Sequence, residues 1–123
     1  MTVADELIAR QRATGQSARF DEFLDVALYG PSGFYQRGGQ AGRRGDFLTS
    51  PECHPAFGWL LARYAHSLHN GFPSFTVVEQ GAGTGALAEA FLTHWAASFP
   101  EAPLRYVIVE RNDEARNRLA GRL

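Results

Sequence analysis

The sequence lacks several features that would narrow its function at once. It has a single cysteine, Cys53, so an intramolecular disulfide is excluded and no pair of thiols has metal-ligand spacing. That scarcity fits a reducing cytoplasm, which is the expected location. Net charge is also scarce, −1, with 12 basic residues against 13 acidic ones. No global field therefore gathers nucleic acid or an anionic membrane, and neither is expected as a partner. No run approaches the ~20 apolar residues that cross a bilayer. The N-terminal MTVADELIARQRATG carries Asp5 and Glu6 and no apolar stretch of signal length. The expectation is a soluble, non-exported protein. What the chain does hold is enough for one compact core: 123 residues, 45% hydrophobic, able to bury roughly two-thirds of the unfolded surface.

Hydrophobic spacing then organises the chain. Residues 4–13 suit a short helix with Leu7 and Ile8 inward, ended by Thr14-Gly15. FDEFLDVALY (20–29) suits a second, with Phe20, Phe23, Leu24, Ala27 and Leu28 on its inner side and Gly30-Pro31 as the stop. From Pro31 to Gly45 glycine is too frequent for a helix or strand interior, and Phe34 and Tyr35 read as anchors of an ordered functional loop, a flexible linker being the alternative. Ser50 reads as an N-cap with Pro51 at the first helical position, opening a helix whose stripe is Phe57, Leu60, Leu61, Tyr64, Ala65 and Leu68, ended by Asn70-Gly71. Phe75, Val77 and Val78 read as a buried strand. Leu87, Ala88, Phe91, Leu92 and Trp95 are the inner face of the next helix, residues 104–110 a second strand, and Asp113 to Leu123 another helix.

Strand, helix, strand, helix in short succession implies right-handed parallel crossovers and an α/β fold. A parallel sheet covered on both faces usually has five or more strands, so these residues are expected to be the N-terminal part of something longer. The expected division is an N-terminal helical and glycine-rich extension, 1–72, and the start of a nucleotide-binding domain, 73–123.

The chemistry concentrates in Glu79-Gln80-Gly81-Ala82-Gly83-Thr84-Gly85, where the first strand hands over to a helix. Glycines there let the backbone turn sharply and approach a ligand closely, and the helix N-terminus offers unpaired N–H donors. A nucleotide is the natural occupant. Gly81-x-Gly83-x-x-Ala86 also fits the dinucleotide fingerprint, but Glu79 would sit badly beside the two charges of an NAD pyrophosphate. S-adenosylmethionine has no phosphate; its α-amino group and sulfonium are cationic and favour a carboxylate at that position. Glu110, at the end of the second strand, would reach the opposite side of the cleft and accept hydrogen bonds from both ribose hydroxyls. The plainer alternatives are a tight strand-to-helix connection for the glycines and a strand-end charge for Glu110.

Beyond the glycine loop, LYGPSGFY (28–35), GRRGDFLTSPE (42–52), Phe57-Gly58, VVEQGAGTG (77–85) and VIVE (107–110) occur in an order and spacing that resemble the MidA-type S-adenosylmethionine-dependent methyltransferases, a family that includes the mitochondrial complex I assembly methyltransferases. The resemblance covers roughly residues 20–120, and GDFLTSPE is its most specific part. It implies a Rossmann-like methyltransferase fold preceded by an N-terminal helical and loop extension, with S-adenosylmethionine as cofactor and a protein side chain, arginine among them, as methyl acceptor. By the same resemblance Gly45, Asp46, Phe47, Thr49, Ser50, Pro51 and Glu52 line or close the cofactor cleft; Asp46 and Ser50 as local caps is the alternative. Cys53-His54-Pro55 departs from the more aliphatic and hydroxylic run typical of the family. No residue is assigned as catalytic base, Asp46 and Glu52 being the loop carboxylates to test.

Two other function classes compete with that reading. An NAD-dependent oxidoreductase half-domain would bind NAD in preference to S-adenosylhomocysteine, and a non-catalytic assembly module would bind neither. His66-x-x-His69 with Cys53-His54 does not read as a metal site, because about four helical turns separate Cys53 from His69. Arg37, Arg43 and Arg44 read as a solvated face of the loop, a hold on a partner's carboxylate or phosphate being the alternative.

Overall fold

The computed structural model describes residues 1–36, 45 and 47–123, and its chain contacts divide at Gly39 into two compact units, Met1–Gly39 and Gln40–Leu123. The boundary expected between residues 72 and 73 marks where the strand-bearing segment starts; compactness divides the chain earlier.

In the first unit α1 (Val3–Thr14) opens with a capping box: the Asp5 amide donates to Thr2 Oγ1 at 3.2 Å and the Thr2 amide to the Asp5 carboxylate at 2.8 Å. Those bonds hold the Asp5 carboxyl below its usual range. Gly15, left-handed at φ 67°, closes the helix. Ile8 is exposed, contrary to expectation; Val3, Glu6 and Leu7 are the sheltered residues. Helix α2 (Phe20–Tyr29) spans the expected residues, yet its one buried residue is Val26, at 1% exposure, while Phe20, Phe23 and Leu24 are exposed. Helix α1 packs on α2, and a two-helix layer can cover only a narrow stripe of each. Phe34 and Tyr35 are tied back to α2: their amides donate to the Ala27 and Leu28 carbonyls at 2.8 and 3.0 Å, and the Tyr35 ring stacks on Tyr29 at 5.4 Å. The rest of the expected functional loop, 37–44, including Arg37, Arg43 and Arg44, lies outside the described residues.

In the second unit the single helix expected from Ser50 is two. Helix α3 (Ser50–Cys53) has Thr49, not Ser50, as its N-cap, and α4 runs Ala56–His69. The break is at His54, extended at φ −161° and ψ 142°, as the residue before a proline prefers. Helix α4 ends as expected at Asn70 and Gly71, both left-handed. Its buried face is Gly58, Ala62 and His69, while Phe57, Leu60, Tyr64 and Leu68 of the expected stripe are exposed. The apolar residues ring this helix, so periodicity alone leaves its inner face open; close approach to α5 selects the small residues.

Strand β1 (Thr76–Gln80), helix α5 (Ala86–Ser98), strand β2 (Arg105–Val109) and helix α6 (Asp113–Ala120) complete the unit. The strands pair in parallel, Val77 with Tyr106 and Glu79 with Ile108, the expected α/β crossover. Phe91 and Trp95 of α5 and Ala62 of α4 form the core, with Phe75, Val77, Leu104 and Tyr106 packed against it. Trp95 is 4% exposed and its indole N–H donates to the Ala102 carbonyl at 3.0 Å, tying the end of α5 to the turn before β2. Val78 and Val109 face away and are exposed. The strand expected to be fully buried is therefore covered on one face only.

Candidate functional site

Strand β1 ends where the chain needs three left-handed residues in five: Gly81, Gly83 and Gly85 have φ of 71°, 53° and 81°. A side chain is strained at each. A Cβ would meet nothing within 4 Å at Gly81 and only the Gly81 carbonyl oxygen, at 4.0 Å, at Gly83, whereas at Gly85 it would strike the Leu119 side chain. The first two glycines therefore keep the outer surface of the loop bare, and the third lets α6 pack against the start of α5. The loop is also joined to the sheet. The Gly81 amide donates to the Val109 carbonyl at 2.7 Å, one step beyond the ladder, and the Gly85 amide to the Ala82 carbonyl at 2.8 Å.

Carboxylates surround this loop. Glu110, expected across the cleft, accepts from the Gly83 amide at 3.1 Å and from the Asn112 amide at 2.9 Å. Asn112 in turn caps α6, accepting from the Ala115 amide at 2.9 Å. Glu79 is half-buried on the helix-covered face of the sheet and accepts from the Tyr106 hydroxyl at 2.8 Å. Burial pushes its carboxyl up, and the Tyr106 bond only partly offsets that. Burial, then the bond to Glu79 and its charge, push the Tyr106 phenol up as well.

The TSPE segment reaches the loop through Glu52, whose Oε1 accepts from the Thr84 hydroxyl at 2.6 Å; its Oε2 is buried without a partner among the described residues. Thr49 positions Glu52 by accepting the Glu52 and Cys53 amides at its carbonyl, at 3.0 and 3.1 Å. Ser50 and Pro51 form the first turn of α3. A groove of about 560 Å³ beside them is lined by Glu52, Trp59, Thr84, Glu89, Thr93 and Arg122 among others. Arg122 donates to the Thr84 carbonyl at 2.8 Å and pairs with Glu89. Another hollow, of about 380 Å³, lies by His66, His69 and Phe99 at the far ends of α4 and α5.

Among the sequence-predicted site residues, the structure joins Glu110 to Gly83 and Glu52 to Thr84 of the same loop, and sets Glu79 on the strand that feeds it. Gly45 and Phe47 are exposed, and Asp46 lies outside the described residues. Sequence reasoning missed Tyr106, Thr84 and Asn112. The alternation of β2 puts Tyr106 on the covered face, but only the strand register brings it to Glu79. Among the described residues no group of three or more His, Cys, Asp or Glu is placed to hold a metal.

A parallel β-α-β crossover whose first strand opens into a bare three-glycine loop, with an acidic residue closing the second strand onto it, defines the cofactor-binding start of a Rossmann-like domain. The chain belongs to the S-adenosyl-L-methionine-dependent methyltransferase family, MidA type: the family model matches residues 58–123, more than half of the chain. The mitochondrial protein arginine methyltransferase NDUFAF7 homolog of Drosophila melanogaster is 34% identical over 97 residues, which is 74% of this chain and 22% of that protein. The mitochondrial protein arginine methyltransferase NDUFAF7 of Xenopus tropicalis is 33% identical over 91 residues, 72% of this chain and 21% of that protein. A Burkholderia thailandensis protein crystallised with S-adenosyl-homocysteine is 35% identical with a TM-score of 0.81, covering 97% of this chain and 32% of that one. The chain thus spans about a fifth of the length of these curated relatives.

Proposed function

We propose that this chain supplies the cofactor-binding loop of an S-adenosylmethionine-dependent methyltransferase whose acceptor is a protein side chain, arginine first among the candidates. The observation that carries this reading is the bare face of Gly81 and Gly83 flanked by Glu79, Glu110 and Glu52. Open backbone suits close approach of a ligand without phosphate, and carboxylates suit its cationic end. S-adenosylmethionine, when bound, supplies a methyl group already activated on a sulfonium, so in-line displacement needs no covalent enzyme nucleophile.

The chain's own residues then have three tasks. Glu79 attracts the α-amino group. Glu110, anchored by two backbone amides, has its remaining lone pairs for ribose hydroxyls, since a carboxylate offers about four acceptor sites. Glu52, fixed by Thr84, holds the TSPE turn against the loop. The relatives' names support arginine as acceptor; a guanidinium is always protonated and needs a carboxylate to orient it and take its proton. A cytoplasmic location belongs to the same proposal, and cell fractionation tests it.

Calorimetric titration with S-adenosylhomocysteine, with NAD as comparator, tests the cofactor assignment. Saturable S-adenosylhomocysteine binding without NAD binding is expected; preference for NAD would overturn the reading, and binding of neither would favour the assembly module.

A further inference from the structure

Glu79 is a flanking carboxylate whose surroundings work against its charge. It is half-buried, and burial raises its proton affinity. Its neighbours across the ladder are its register partner Ile108, which carries no charge, and Tyr106, one pair back on the same face of the sheet. From α5, the buried face is Ala88, Ala90, Phe91 and Trp95, all uncharged. The titratable groups of α5 are directed elsewhere, Glu89 to Arg122 and His94 to the Trp59 and Phe99 rings. Of the charged residues after β2, Glu110 takes the Gly83 and Asn112 amides, and Arg116 donates to the Glu110 carbonyl and pairs with Asp113. The Tyr106 hydroxyl donates to the Glu79 carboxylate at 2.8 Å.

We propose that Tyr106 is a positioning residue for the amino-bearing end of the cofactor: its hydroxyl fixes the Glu79 carboxylate at the end of β1 and keeps it charged. The proposal rests on the assignment of Glu79 made under the proposed function. Its physical basis is asymmetric. A phenylalanine at 106 fills nearly the same volume, and packing against Phe91, whose ring centroid lies 5.1 Å away, needs only the ring. The hydroxyl is therefore in excess of what the core requires. Removing it leaves a half-buried carboxylate without its donor, which then takes up a proton more readily and loses its attraction for an ammonium group. Because burial and the neighbouring charge raise the phenol's own titration, Tyr106 stays a donor throughout the pH range in which Glu79 ionises.

The experiment follows Glu79 directly, by carboxyl carbon NMR of the full chain, in the wild type and Tyr106→Phe, with Glu79→Gln to assign the signal. Affinities for S-adenosylhomocysteine and for 5′-methylthioadenosine, which lacks the amino-acid end, are measured across the same pH range. Expected is a Glu79 titration displaced to higher pH in Tyr106→Phe, an acid limb of S-adenosylhomocysteine binding displaced with it, and several-fold weaker binding between the two midpoints. Methylthioadenosine binding should not move. Identical Glu79 titrations in the two proteins overturn the proposal at the hydrogen bond. A displaced titration with unaltered S-adenosylhomocysteine binding overturns it at the cofactor, by removing Glu79 from the site. Equal loss for both ligands assigns Tyr106 to structure alone and overturns it too. A wild type that binds neither ligand refutes the proposed function itself.

Discussion

Gly58→Ala is the substitution for which propensity and packing give opposite answers. Gly58 is buried in α4, where alanine would normally gain about 1 kcal/mol of helix propensity. A methyl group there, however, would sit 2.6 Å from Ala90 Cβ, 3.0 Å from the Phe91 amide nitrogen and 3.2 Å from the Ala90 carbonyl carbon. Two of those atoms are α5 backbone, so relief requires the helices to separate. Overpacking a tight site costs about 1–3 kcal/mol, and two backbone contacts place this one at about 3. The expected net loss is about 2 kcal/mol, or about 10 °C in Tm for a unit of this size. Urea and thermal unfolding followed by circular dichroism measure it. Pairing the change with Ala90→Gly removes the nearest obstacle but leaves the two backbone contacts, so Gly58→Ala should still destabilise in that background, by less, with a coupling of about 1 kcal/mol. A Gly58→Ala variant as stable as the parent would refute the close approach of α4 and α5.

Gly83→Val, at φ 53°, should abolish measurable S-adenosylhomocysteine binding, and Glu79→Ala should weaken it about 10–100-fold, the worth of a charged hydrogen bond; calorimetry checks both, and unaltered affinity in both would remove the loop from the site. Because burial raises the Glu79 pKa on folding, the folded state binds the proton more tightly. The stability this confers is present in acid and lost as pH rises from the ordinary glutamate range through the raised value. Glu79→Gln should therefore unfold at higher urea than the parent near neutrality, with the difference vanishing in acid, as urea midpoints against pH will show. Asn112→Ala removes the cap that accepts the Ala115 amide and should cost about 1 kcal/mol, read from the same urea curves.

The α/β order, the glycine loop and the helix ends at Gly15 and Asn70-Gly71 were legible because each is written in local chemistry: period, punctuation, and backbone freedom that only particular residues have. The inner faces were not. Val26 rather than Phe20 and Phe23 in α2, and Gly58, Ala62 and His69 rather than Phe57 and Leu60 in α4, are chosen by how closely the next helix approaches. That distance is set by both partners. At the site, Glu79 and Glu110 could be picked out from their places at strand ends, while the Tyr106 bond to Glu79 depends on register and the Thr84 bond to Glu52 on a contact across 32 residues. The split at His54 was readable in retrospect, since Pro55 marks it.

The two tryptophans occupy separate surroundings, and that gives the chain two optical reporters with different fields of view. Trp95, sealed in the core and bonded to Ala102, emits from an apolar setting and shifts to the red only when α5 leaves the sheet. Trp59, 40% exposed, lies between the His54 and His94 rings and lines the groove shared with Glu52 and Thr84. Its emission is open to quenching by its histidine neighbours and senses the TSPE turn rather than the core. Replacing Trp59 with phenylalanine leaves a clean fluorescence signal of unfolding, and the difference from the parent isolates events at the loop in the same cuvette.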